Sequence, residues 1–198
     1  YEKFPAFQKE YEDTKLLMLS PHPPGFFATM DTPIRTLDDL KGLKIKTASS
    51  FTTEALKIFG AVPVTQPVTE TYTSLERGVV DGVVSPFSGI VTFNLHELLN
   101  YYTPANFYSL VFWMAMNKST FNSLPHDIQK VIEENSGLTL SRLHGKSFDK
   151  TRAATKKVAI ESGMEKIEFP ESERKKLVEL TEPLKQEWIE DMEKKGLP

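Results

Sequence analysis

Apolar residues at three- and four-residue spacing open the chain: Phe4, Phe7 and Tyr11 predict a helix over residues 2–15. The run Leu16-Leu17-Met18-Leu19 then reads as a buried strand that stops at Ser20-Pro21. Past the proline-rich stretch 21–25 the pattern becomes strand and helix in alternation. Thr36 opens a short helical turn over 37–41, closed by Gly42. Residues 43–47 alternate apolar and polar as a half-buried strand does. Ser49 or Ser50 caps a helix over 51–59, with Glu54 in its first turns near the positive end of the dipole and Gly60 behind it. Residues 62–65 form the next strand, in which Pro63 favours a strand end or an edge position. A helix over 69–77 stops at Gly78. A strand over 79–84 follows, interrupted by Asp81-Gly82 and broken by Ser85-Pro86. Three such units in succession predict an α/β sheet with largely parallel neighbours.

Residues 110–116 are a continuous apolar run of strand length. In the last third the period lengthens. Pro125 sits at an N1 position, and helical composition continues to Ser162-Gly163, with Ile128, Val131, Ile132, Leu138, Leu143 and Phe148 as a broken apolar stripe. Asn135 and Gly137 mark a bend or break within it. A short strand over 164–169 and a charged helix over 171–194, carrying Leu177, Leu180, Leu184 and Trp188, complete the chain.

Composition narrows the classes. The 198 residues carry 24 Lys+Arg against 27 Asp+Glu, a net charge of −3, and 39% hydrophobic residues, which excludes disordered, collagen-like and coiled-coil chains. A pI near 5.9 without a basic stripe excludes a dedicated nucleic-acid partner. No apolar run approaches the roughly 20 residues that span a bilayer. Cysteine is absent, so disulfides, thiolate metal sites and Cys nucleophiles are excluded, which suits an oxidising compartment. The chain opens at Tyr1, and a helix leading straight into a core strand is a mid-domain arrangement. It is therefore expected to be a fragment of a longer protein.

Enzyme motifs are missing. His22, His96, His126 and His144 are scattered, and His96-Glu97 lacks the second histidine that a zinc-binding helix needs. No GxSxG elbow or phosphate loop occurs, and Gly78, Gly82 and Gly89 do not make a GxGxxG spacing. Asp38-Asp39 and Glu133-Glu134 read as solvated faces. No catalytic residue, cofactor or metal ligand is assigned. The informative cluster is Lys46 at the end of a strand, followed by Ser49 and Ser50 opening a helix, with Ser85 ending another strand. In open α/β sheets ligands bind at such C-terminal edges, where a cation and free helix N–H groups suit a carboxylate. Spacing alone leaves a second reading open, in which Lys46 is an exposed strand lysine and the serines are only caps.

Three stretches carry a resemblance: Pro33-Ile34-Arg35-Thr36-Leu37-Asp38-Asp39-Leu40-Lys41-Gly42-Leu43-Lys44-Ile45; Phe59-Gly60-Ala61-Val62-Pro63-Val64 with Glu70-Thr71-Tyr72-Thr73-Ser74-Leu75-Glu76-Arg77-Gly78-Val79-Val80-Asp81-Gly82; and Asn117-Lys118 with Phe121-Asn122-Ser123-Leu124-Pro125. In this order and spacing the chain resembles the solute-binding proteins of TRAP (tripartite ATP-independent periplasmic) transporters, dicarboxylate-receptor type, over their C-terminal two-thirds only. The resemblance implies a periplasmic-binding-protein-like α/β fold with one near-complete α/β lobe and part of a second, linked by a long helix. Residues 1–30 would be the remnant of the first lobe and crossover, 31–110 the ligand-binding lobe and 111–124 a strand returning to the first lobe. Residues 125–163 would be the interlobe helix, and 164–198 the C-terminal strand and helix.

By the same resemblance, Lys46 stands where the family usually has an arginine that clamps the ligand carboxylate. Lysine keeps the charge and loses the planar fork. Ser85 falls where the family often has Asn before Pro, and Ser49 lies at another polar contact. Phe27 falls near a position that is arginine in some members, Phe107 near a pocket-lining position, and Val68 at a site often filled by an aromatic. One cation and two phenylalanines point to a small organic acid, a monocarboxylate with an apolar or aromatic body, as the ligand. The implied partners are the membrane permease subunits of a TRAP transporter, the implied location is the periplasm, and the full-length precursor would carry a signal peptide. A truncated chain would expose a half-cleft that invites homodimerisation. The alternative is a sensor or interaction module on the same fold that binds a neutral or aromatic small molecule without transport.

Overall fold

Turn residues and apolar periodicity divide residues 5–196, the span that the computed structural model describes, into helices and strands in this order. They are α1 (Pro5–Glu10), β1 (Thr14–Pro21), β2 (Gly25–Thr29), β3 (Lys44–Thr47), α2 (Ser50–Ile58), β4 (Val62–Thr65), α3 (Thr71–Glu76), β5 (Gly82–Ser85), α4 (Phe87–Thr92) and β6 (Tyr101–Tyr108). The order continues with β7 (Val111–Asn117), α5 (Lys118–Asn122), α6 (His126–Glu134), α7 (Leu138–Glu161), β8 (Glu165–Lys166) and α8 (Glu171–Lys194). Short 3-10 turns cover Leu37–Leu40, Val68–Glu70 and Leu95–Glu97.

The chain divides into two units. One comprises Tyr1–His22, Leu110–Lys150 and Asp191–Pro198; the other comprises Pro23–Ser109 and Thr151–Glu190. In the second unit six strands form one sheet in the order β4-β3-β5-β2-β6-β8. β3 runs parallel to both β4 and β5, as the alternating pattern predicts. β2 is the departure, antiparallel to β5 on one side and to β6 on the other. Each face of this sheet carries a core. One contains Phe27, Ile34, Leu40, Ile45, Leu56, Phe59 and Val84; the other contains Phe26, Ala28, Leu75, Val83, Phe87, Ile90 and Tyr102. Successive residues of β2 and β5 thus enter opposite cores, as the pleat requires.

Several boundaries differ from the sequence pattern for identifiable reasons. β2 is buried at every position, so Gly25-Phe26-Phe27-Ala28-Thr29 has no polar alternation to betray it. β6 contains Pro104 and Asn106, the latter at φ +54, within an irregular register between Phe27↔Thr103 and Gly25↔Tyr108. α4 follows directly on Ser85-Pro86. The helix expected over 2–15 is α1, which ends at Glu10; positions 2–4 lie outside the described residues. The helical stretch 125–163 is two helices. Asn135 caps α6, and Gly137, at φ +61, donates its N–H to the Leu17 carbonyl at 2.7 Å. Pro125 is the N-cap residue, one position before the N1 expected. The strand expected over 164–169 shortens to β8, and that over 79–84 starts later and runs through Ser85 as β5, with Asp81 just before it accepting from the Lys44 N–H at 2.7 Å.

The first unit holds the antiparallel pair β1–β7, with a bulge between Leu16 and Met18. Within it Lys15 meets Glu133 at 2.6 Å and lies over the Phe121 ring at 4.2 Å. Ser20 Oγ and His144 Nδ1 are hydrogen-bonded at 2.9 Å. Val111, Phe112, Trp113 and Met114 of β7 are all exposed.

Candidate functional site

Lys46 sits at the heart of the second unit's sheet. On β3 it pairs with Val64 of β4 and Val83 of β5, and since Ile45 enters the core of Phe27 and Val84, Lys46 points to the other face. It is 5% exposed. Its neighbour Lys44 donates to the Gly78 carbonyl at 2.7 Å. Lys46 Nζ is not one of the fully buried nitrogens that lack a partner among the described residues. Burial holds its pKa below the ordinary lysine value. Cover of the side chain disfavours its charged form, and a carboxylate beside the ammonium would offset that.

Ser49 is the N-cap of α2. Its Oγ accepts from the Thr52 N–H at 3.2 Å and shares a hydrogen bond with Thr52 Oγ1 at 2.8 Å. Ser50 is the first helical residue, so the cap left open between the two serines falls to Ser49. Thr52 Oγ1 also bonds Thr47 Oγ1 at the end of β3, tying the helix start to the strand that carries Lys46. Ser85 ends β5 opposite Phe26, and its hydroxyl donates only to the adjacent Pro86 carbonyl, at 3.2 Å. A Cβ at Gly89 would fall 2.5 Å from Ser85 Oγ, so the glycine lets α4 approach the end of β5.

The two phenylalanines come together on the opposite face of the sheet. Phe27 is 1% exposed and stacks on Phe107 at 5.0 Å, and Phe107, half-buried, also meets the edges of Phe59 and Tyr108. Val68 is exposed in the turn between β4 and α3. Lys46, Ser49 and Ser85 therefore gather at the C-terminal edge of β3 and β5, while Phe27 and Phe107 form a separate aromatic pair. Two polar groups beside β4 carry no sequence signal of their own: Gln66 Nε2 and Thr71 Oγ1 are buried with no hydrogen-bond partner. The strand register brings Gln66 one residue beyond the Thr47↔Thr65 pair, while Thr71 is the first residue of α3.

The model of the bacterial extracellular solute-binding proteins, family 7 (DctP), matches residues 5–191. This chain belongs to that family.

Like its family 7 relatives of known structure, it has the periplasmic-binding-protein-like α/β fold. A TRAP solute-binding protein from Rhodoferax ferrireducens T118, in complex with copurified benzoate, is 33% identical with a TM-score of 0.86, over 95% of this chain and 60% of that one. A marine metagenome TRAP solute-binding protein specific for aromatic acid ligands, in complex with metahydroxyphenylacetate, is 30% identical with a TM-score of 0.87, over 97% of this chain and 64% of that one. The C4-dicarboxylate-binding periplasmic protein DctP of Rhodobacter capsulatus is 29% identical over 161 residues, 81% of this chain and 48% of that protein. The family 7 chain described here thus spans about half the length of that curated relative. No helix among its described residues is long and apolar enough to cross a membrane.

Proposed function

We propose that this chain is part of an extracytoplasmic receptor that binds a small organic acid, a monocarboxylate, and delivers it to the permease subunits of a TRAP-type secondary transporter in the periplasm. One observation carries the reading: Lys46, a lysine only 5% exposed, stands near the C-terminal end of β3, at the edge of the sheet where α/β proteins take ligands. A single cation balances one carboxylate, and Ser85, whose hydroxyl is held only by its own neighbour, is free to turn toward the same anion. The Phe27–Phe107 pair lies on the opposite face of the sheet from Lys46 and packs in a core there, so apolar contact to the body of the acid is left to Val68, with Ser49 at the margin. The benzoate and metahydroxyphenylacetate bound by the two structural relatives support an aromatic monocarboxylate over a dicarboxylate.

The test is a thermal-shift and calorimetric panel on the full-length protein with benzoate, phenylacetate, succinate and neutral osmolytes. Monocarboxylates are expected to raise Tm by mass action. Lys46→Met should weaken them about 10- to 100-fold, the worth of a charge-assisted contact. It should melt no lower than the parent, because the substitution removes a buried charge. Unchanged affinity in Lys46→Met would show that the anchor lies elsewhere.

A further inference from the structure

We propose that the outward face of α7, through Arg142, Lys146 and Lys150, docks on an anionic bilayer surface. From the receptor reading it takes only the place of work beside a membrane, and it does not depend on Lys46 or on which acid is bound.

α7 differs in charge from the rest of the chain. It holds six cations (Arg142, Lys146, Lys150, Arg152, Lys156 and Lys157) against Asp149 and Glu161, a net +4 on a chain of −3. Three other helices pair a lysine with a carboxylate of their own. Lys57 meets Glu54 at 2.8 Å in α2, Lys130 meets Glu134 at 3.9 Å in α6, and Lys185 meets Glu182 at 3.2 Å in α8. On α7 Lys157 has such a partner, Glu161 at 3.7 Å. The other five cations of α7 form no ion pair among the described residues. Their spacing sharpens the contrast. Arg142, Lys146 and Lys150 stand four residues apart, as do Arg152 and Lys156, so like charges occupy neighbouring turns. That arrangement weakens a helix, and a counter-charge outside the helix relieves it.

The row faces away from the packing of the first unit, to which all three of its residues belong. The inner side of α7 there is Ser141, His144 and Phe148. Ser141 Oγ accepts from the Leu19 N–H at 3.3 Å, His144 Nδ1 and Ser20 Oγ are bonded at 2.9 Å, and Phe148 stacks on Phe112. The helical repeat puts Arg142, Lys146 and Lys150 on the opposite side, and all three are exposed. Leu138 and Leu143 flank the row, 61% and 66% exposed, and Asp149 is its one carboxylate.

Cations together with projecting leucines select the partner. A bilayer interface takes both: phosphates meet the ammonium and guanidinium groups, and the leucines enter the boundary between headgroups and acyl chains. An acidic protein face would satisfy the cations and set the leucines against carboxylates.

Sedimentation of the full-length protein with two kinds of vesicle tests this, phosphatidylcholine alone and equal parts of phosphatidylcholine and phosphatidylglycerol. Binding is expected to the anionic vesicles only, and to weaken as added salt screens the charges. Arg142→Gln, Lys146→Gln and Lys150→Gln should each weaken it about fivefold. The triple variant should melt no lower than the parent, since it removes repulsion between turns, and its affinity for the organic acid should be unchanged. Lys146→Arg should bind vesicles like the parent. Leu143→Gln should weaken vesicle binding while leaving retention on immobilised polyglutamate as it was. Equal binding to both vesicles, binding to neither, or anionic binding that survives the triple substitution overturns the proposal. Retention on polyglutamate without binding to vesicles also overturns it and gives the face to an acidic protein. Acid affinity in the same variants reports on the receptor reading separately, so either can fail alone.

Discussion

Burial lowers the pKa of Lys46, and the sign of two pH effects follows from that. In the unfolded chain the lysine titrates near its ordinary value. Between the lowered folded value and the ordinary one the unfolded chain therefore binds more protons, and stability rises with pH across that window. Lys46→Met should flatten this rise, read as urea midpoints from neutral to alkaline pH. A bound carboxylate favours the ammonium, so binding in the same window takes up a proton and affinity falls as pH climbs. Calorimetry in buffers of different ionisation enthalpy measures the uptake; a count of zero at every alkaline pH would contradict contact between acid and ammonium. Ser49 permits a different separation, since its hydroxyl caps α2. Ser49→Ala should cost about 1 kcal/mol of stability and Ser49→Gly only a few tenths. If Ser49 also touches the ligand, both variants lose affinity alike; if it only caps, affinity is kept in both.

At the scale of elements, the central strand β5 leaves no room for a side chain at Gly82. A Cβ there would meet the Ala28 carbonyl oxygen at 2.5 Å and Thr29 Cγ2 at 2.8 Å, so β2 and β5 would have to part. Gly82→Ala should cost about 1–3 kcal/mol in chemical denaturation, the range for overpacking. This strand also shows what the amino-acid pattern can convey. β3 and α2 are legible because one turn residue or one alternation marks each, and the end of α2 at Gly60, with φ +80, follows from residue type alone. β2 was illegible because cover on both faces erases the alternation, and β6 because its proline and its left-handed Asn106 break it. Of the site, the position of Lys46 was readable. Its burial was not, since a lysine next to Ile45 on a four-residue strand reads equally well as solvated. Gln66 and Thr71 have no motif; their meaning lies in which neighbours they lack.

Over the whole chain, the two units are expected to differ in how often their amides open. The second unit has a six-stranded sheet with a core on each face, and its central strands should exchange hydrogen slowest. The β1–β7 pair has two strands and exposed apolar side chains along β7, and should exchange faster. Equal protection factors in β1 and β5 by mass spectrometry would refute this. The second unit is also completed by residues from the far end of the chain. Arg174 donates to the carbonyls of Ala105 at 2.6 Å and Pro104 at 3.0 Å, where β6 is irregular, and Glu173 accepts from the Leu37 N–H at 2.7 Å. Leu177 and Phe169 enter the core of Phe27 and Ile45. During synthesis, a ribosome that has released the five strands β2 to β6 has not yet delivered the helix that seals them. Until Phe169 and Leu177 follow, the core around Phe27 and Ile45 lacks part of its cover.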